Sequence, residues 1–200
     1  MKKILIAFIL LFLTTGCTVV RIDTKSIDNI TSVVLSKDNK LYNRIGKGYK
    51  YYRPRGVSYI DTNELNDVLY SDGNYYYLYI DAVGYYHKTK LNYKENKKLY
   101  YSKKISGKKE GYLEIEKIDK KYLITFNYNY AKIEALVMKK DINKVILDAS
   151  YILSTVKFND NIIALMLDEE YFTNKEEQYT KFKVKKENKN NFLKYNNDKK

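Results

Sequence analysis

Few side chains in this sequence have the types and spacing that chemistry needs. His87 is the only histidine and Cys17 the only cysteine, so a metal site built from several imidazoles or thiolates has no ligand set. A Ser-His-Asp triad would draw on His87 with Ser102, Ser106 or Ser154, and none of these serines stands in the Gly-x-Ser-x-Gly turn that exposes a nucleophile. His87 itself sits at the lysine-rich end of an extended run, where a histidine reads as an exposed side chain. Asp168, Glu169, Glu170, Glu176 and Glu177 offer carboxylates for a cation or an acid and base pair, but they are strung through a polar stretch and read as a solvated face. Gly46-Lys47-Gly48 is too short to cradle a phosphate and lacks the strand and helix that flank a phosphate loop. The sequence therefore predicts no catalytic residue, no metal and no cofactor. Cys17 is the exception, because of what precedes it.

Lys2 and Lys3 form a positive end, Ile4 to Leu13 is an unbroken run of ten apolar residues, and Thr14, Thr15 and Gly16 are short residues before Cys17. These are the three parts of a secretory signal. A membrane-spanning helix needs about 20 apolar residues, twice what this run supplies. The order Leu13-Thr14-Thr15-Gly16-Cys17 resembles a bacterial lipoprotein signal peptide, although Thr14 occupies the position, three before the cysteine, where that family usually has leucine. The resemblance implies cleavage before Cys17, a diacylglyceryl group on its sulfur, and residence on the extracytoplasmic face of the cell membrane. Residues 1–16 are then the signal, 17–25 a lipidated tether, 26–172 a single domain, and 173–200 a polar, partly disordered tail. A lipidated Cys17 leaves no thiol for a disulfide, so the domain rests on its core alone.

Lysine, asparagine, tyrosine and isoleucine dominate the composition, all with AT-rich codons, so part of the pattern is genomic rather than functional. The net charge of +13 falls by two when Lys2 and Lys3 leave with the signal. Lysines concentrate in Lys88 to Lys109 and Lys181 to Lys200, with an acidic stretch from Lys157 to Thr180 between them. Tyrosines interleaved with lysines suit nucleic acid, but an exported chain seldom meets it, so no nucleic acid partner is expected. Anionic envelope polymers, lipid head groups and envelope proteins are nearer, and Lys97, Lys98, Lys103 and Lys104 are the basic side chains assigned to such a surface. The competing reading is a solvated basic face.

The elements that must position these residues follow from periodicity. Ile27, Ile30, Val33 and Val34 after Ser26 predict an amphipathic helix over Ser26 to Ser36, followed by irregular chain to Gly48. Tyr49 to Arg53 and Val57 to Ile60 read as short strands flanking Pro54. Asp67 to Tyr70 and Asn74 to Ile80 flank Ser71-Asp72-Gly73, and Asp-Gly is a tight hairpin turn. Tyr75, Tyr77 and Tyr79 then share one face of the second strand, half exposed, opposite Tyr76, Leu78 and Ile80. Gly84 predicts a bulge or bend. Leu99 to Ile105 is a further strand, and Tyr112 to Glu116, Tyr122 to Tyr128 and Ala131 to Met138 an antiparallel meander. Ile142, Val145, Ile146, Ala149, Ile152, Leu153 and Val156 form one apolar stripe after Asp141 as N-cap, with Asn143, Lys144, Asp148 and Lys157 on the wet side. Asn159 or Asp160 caps a short helix to Leu167. In the tail, Phe182 and Val184 alternate like an edge strand.

The fold class is therefore α+β, an antiparallel meander covered by helices. The run Gly48-Tyr49-Lys50-Tyr51-Tyr52-Arg53-Pro54-Arg55-Gly56-Val57 resembles a segment of lipoproteins from AT-rich bacteria, a family that implies no activity. The order of a strand into Pro54-Arg55-Gly56, a meander, and a last helix closing on Ser154-Thr155-Val156-Lys157-Phe158 is similar to the PsbP-like fold over about residues 48 to 158, which implies docking to other proteins rather than catalysis. The expected function is a lipid-anchored binding or scaffolding module at the envelope, not an enzyme, with Tyr75, Tyr77 and Tyr79 as its interaction surface. The alternative is a small envelope hydrolase using a carboxylate or His87.

Overall fold

The computed structural model describes residues 22–63, 65–168 and 182. Cys17, the carboxylates from Glu169 to Glu177 and the tail residue Val184 lie outside them. The described residues form an antiparallel α+β fold with a seven-stranded sheet and a three-stranded one. The strands are β1 (Arg44–Gly46), β2 (Tyr49–Tyr51), β3 (Ser58–Asn63), β4 (Asn66–Ser71), β5 (Asn74–Ile80), β6 (Tyr101–Ile105), β7 (Gly111–Ile118), β8 (Lys121–Tyr128), β9 (Ala131–Val137) and β10 (Lys157–Phe158). The helices are α1 (Ile27–Leu35), α2 (Ala82–Tyr86), α3 (Ile142–Thr155) and α4 (Asp160–Asp168). Among the described residues no helix is long and apolar enough to cross a membrane.

The large sheet runs β3-β4-β5-β9-β8-β7-β6. Its meander, β7-β8-β9, is the predicted one, and Leu113 and Ile115 face the core as their alternation requires. The β4-β5 hairpin turns on Asp72 (φ 48°) and Gly73 (φ 82°), the left-handed pair that an Asp-Gly turn supplies. What alternation does not reveal is the order: β5 pairs with β9, and β6 reaches the opposite edge through an irregular crossover.

α3 lies across the helix-side face of β8 and β9, with α1 beside it. All seven positions of its predicted stripe are at most 3% exposed. Two expectations about this helix need correction. Asp141 makes no side-chain cap, because a 3-10 turn (Lys139–Asp141) brings the chain into the helix already coiled, with Asp141 at φ −95°, ψ −9°. Asp148 is not on a wet side: it is 4% exposed and accepts a hydrogen bond from Tyr76 Oη (3.1 Å) and an ion pair from Lys144 Nζ (2.5 Å). The helix is buried beyond its stripe because Tyr76 of β5 reaches it on that side.

The small sheet, β1-β2-β10, seals the other end of the helix. Thr155 Oγ1 accepts from the Tyr52 backbone N–H (2.9 Å), and Asn129 Nδ2 donates to the Val156 carbonyl (3.0 Å). β1 replaces part of the expected irregular chain. Gly84 lies in a one-turn helix rather than a bulge, since Asp81 Oδ1 accepts from the Gly84 N–H (2.8 Å) and starts a turn. The other two caps match expectation: Ser26 Oγ accepts from the Asn29 N–H, and Asn159 Oδ1 from the Ile162 N–H (both 3.2 Å).

Candidate functional site

The candidate site is the outer face of the large sheet, away from α3. Strand alternation in β5 buries Asn74, Tyr76, Leu78 and Ile80 and turns Tyr75, Tyr77 and Tyr79 outward. The hairpin register sets Tyr70 opposite Tyr75. Their rings meet edge to face at 5.1 Å, with Tyr70 36% and Tyr75 50% exposed. Two residues on, Tyr75 and Tyr77 lie nearly parallel at 6.5 Å, and the ring of Phe182 stands edge-on to Tyr77 at 5.4 Å. Four rings thus form one ladder, in the geometries that aromatic quadrupoles favour.

Charge lines this ladder on its β9 side. Tyr77 pairs in register with Glu134, and Tyr79 with Lys132. Lys132 Nζ sits 5.6 Å from the Tyr79 ring centre and 2.9 Å from Glu134 Oε1, in a pair largely withdrawn from solvent. Burial, and then the nearby Asp81 charge, push the Tyr79 phenol up to about 12. Further across the sheet, the crossover between α2 and β6 covers the outer face: Tyr93 stacks on Tyr112 at 4.2 Å and donates to Glu114 (2.9 Å).

The predicted lysines do not converge with the tyrosines. Lys97 and Lys98 are exposed on the crossover, and Lys103 and Lys104 lie on β6. Strands β9, β8 and β7 separate β6 from β5, a distance of roughly 19 Å at ordinary strand spacing. Lys103 faces the helices and is ion-paired with Asp28, which also accepts from Tyr101 Oη (2.8 Å). The hydrogen bond from Lys103, followed by that from Tyr101, holds the Asp28 carboxyl below its ordinary range. Lys104 points outward, and its backbone N–H donates to Glu95 (2.9 Å). His87 is exposed at the end of α2, edge-on to Tyr86. Ser102 bonds Tyr93 and the Asn96 N–H, and Ser154 bonds the Tyr151 carbonyl.

Sequence reasoning missed a buried polar cluster between the two sheets. Asp67, on β4 and 1% exposed, accepts from Tyr49 Oη (3.2 Å), Tyr51 Oη (2.6 Å) and Thr62 Oγ1 (2.6 Å). Arg44 Nε lies 3.6 Å from Oδ2, the oxygen that Tyr51 bonds, and the guanidinium stacks 3.7 Å from the Tyr59 ring centre. Gly46 is needed here because a Cβ would fall 2.2 Å from the Tyr49 ring. Burial, and then the Asp67 charge, raise both phenols well above their ordinary value. Hydroxyls from β2 and β3 and the Arg44 cation all converge on this one buried carboxylate of β4, so the cluster acts as a cross-link between β2 and β4. Its signal was present in the sequence: Asp67 stands in phase with Leu69 on the inward side of β4.

No protein-family model, curated protein or solved structure matches the chain.

Proposed function

We propose that this protein is a lipoprotein anchored through Cys17 to the extracytoplasmic face of the cell membrane, where the outward aromatic ladder of β4 and β5 binds another envelope protein. The observation that carries the binding reading is the ladder itself: Tyr70 and Tyr75 are 36% and 50% exposed on the outer sheet face, with their rings held edge to face. Tyrosine supplies contact area at low entropic cost and a hydroxyl that stays satisfied when the ring is covered. A protein partner fits this face better than an anionic polymer. The lysines that would hold a polymer are either committed, as Lys103 is to Asp28, or carried on the crossover and the far strand. The anchor rests on the order of parts around Cys17 and on the affinity of acyl chains, about 0.8 kcal/mol per buried methylene.

The test is photo-crosslinking in living cells from a benzoylphenylalanine at position 75, with the same probe at exposed Lys97 as control. A discrete crosslinked envelope protein from position 75 alone is expected. Crosslinks equal at both positions would remove the ladder from the interface. In the same cells the wild type should incorporate labelled fatty acid and partition into detergent, Cys17→Ser should lose the label and remain as unlipidated precursor, and equal labelling of the two or a wild type in the aqueous phase would rule out the anchor.

A further inference from the structure

Phe182 is the one member of the ladder that does not belong to the sheet. It lies fourteen positions beyond Asp168, the last residue of α4. A connection of that length can span on the order of 45 Å, so the position of α4 does not force this ring onto Tyr77. The edge-to-face contact at 5.4 Å is therefore selected by the ring and its surroundings. In sequence Phe182 stands between Lys181 and Lys183.

Resting on the reading of the ladder as a binding face, we propose that Tyr77 is a socket for an aromatic side chain flanked by lysines, and that Phe182 fills it in cis. The chain carries its own competitor. A short tether holds an intramolecular ligand at an effective concentration of order millimolar, so an external segment must displace Phe182 before it engages Tyr75 and Tyr77. The ligand class follows: an extended peptide segment with one large aromatic residue between basic ones.

The sequence contains no tryptophan, so Phe182→Trp in the full chain, held in detergent micelles, places a single reporter in the socket. Its emission should be blue-shifted from that of a free tryptophan, with acrylamide quenching slowed at least threefold. Adding Tyr77→Ala should return both to solvated values at unchanged circular dichroism. If Tyr77→Ala unfolds the domain, Tyr77→Phe keeps a ring and should keep the shielding, whereas Phe182→Ala should release the socket. A fluorescent peptide copying residues 178–186 should bind the Phe182→Ala chain at least tenfold more tightly than the wild type, and the same peptide with its phenylalanine replaced by alanine should bind neither. A solvated indole in the chain carrying Phe182→Trp alone overturns the proposal, as does equal peptide binding by the wild-type and Phe182→Ala chains. Shielding that disappears on dilution would assign the occupant to a second copy and overturn the cis assignment. A shielded indole with no crosslink from position 75 would sink the binding reading and leave this one standing.

Discussion

Asp67 is held by three hydroxyls and a guanidinium, and removing any donor leaves a buried charge short of a partner. Tyr51 makes the shorter of the two phenol bonds to it and has no exposed surface. Hydrogen bonds to charged groups contribute about 1.5–3 kcal/mol each, so Tyr51→Phe should lower unfolding free energy by that amount. Asp67→Asn should weaken the same contact, and the double variant should cost less than the sum of the singles, because the two share one interaction. Additive costs in urea denaturation would mean that the phenol and the carboxylate act separately. The phase of Asp67 was legible in the strand pattern, but its partners were not. Tyr49 and Tyr51 lie in another sheet, and Arg44 lies in a stretch whose pattern gave no strand.

At the scale of elements, the local signals in the sequence were sufficient where one residue pair or one stripe decides the structure. The Asp72-Gly73 hairpin, the Ser26 and Asn159 caps and the α3 stripe are of this kind. They failed where a tertiary neighbour decides. Asp148 reads as the wet side of a helix, yet Tyr76 of β5 and Lys144 enclose it. Burial raises the Asp148 carboxyl, with the hydrogen bond from Lys144 opposing that shift. A substitution pair separates these roles. Leu153→Ala empties a position with no exposure and should cost about 2–5 kcal/mol. Lys144→Ala should cost about 1–2 kcal/mol, more than an ordinary surface change, because it leaves a buried carboxylate with Tyr76 as its described donor. A Lys144→Ala cost within about 0.5 kcal/mol of zero would return Asp148 to solvent.

The order of the large sheet joins β5 to the last strand of the meander and sends β6 to the far edge, and no local pattern encodes that choice, since it rests on which apolar faces meet under α3. One consequence belongs to the whole molecule. The packing buries phenols from β2 and β5 and half-buries one on β6, and burial is the leading cause that raises Tyr49, Tyr51, Tyr76 and Tyr101, with Tyr79 pushed up to about 12. An unfolded tyrosine ionises near pH 10. The stability these phenols contribute is therefore complete below about pH 10 and is lost as pH rises toward their folded values, because the unfolded chain sheds protons that the fold retains. For Tyr51, with no exposed surface, the loss is about 1.4 kcal/mol per pH unit above its unfolded value. Lys109 works in the opposite sense. Burial lowers its ammonium, so its unfavourable contribution fades as pH approaches about 10.4, but it is one group against five. Urea denaturation from about pH 9 to about pH 11.5 should show a plateau followed by a steep fall beginning near pH 10. Tyr51→Phe should start lower and fall less steeply by about one proton's worth of slope. A wild-type midpoint that stays level through this window would mean that the phenols ionise within the fold, and the tight seal between the two sheets would not hold.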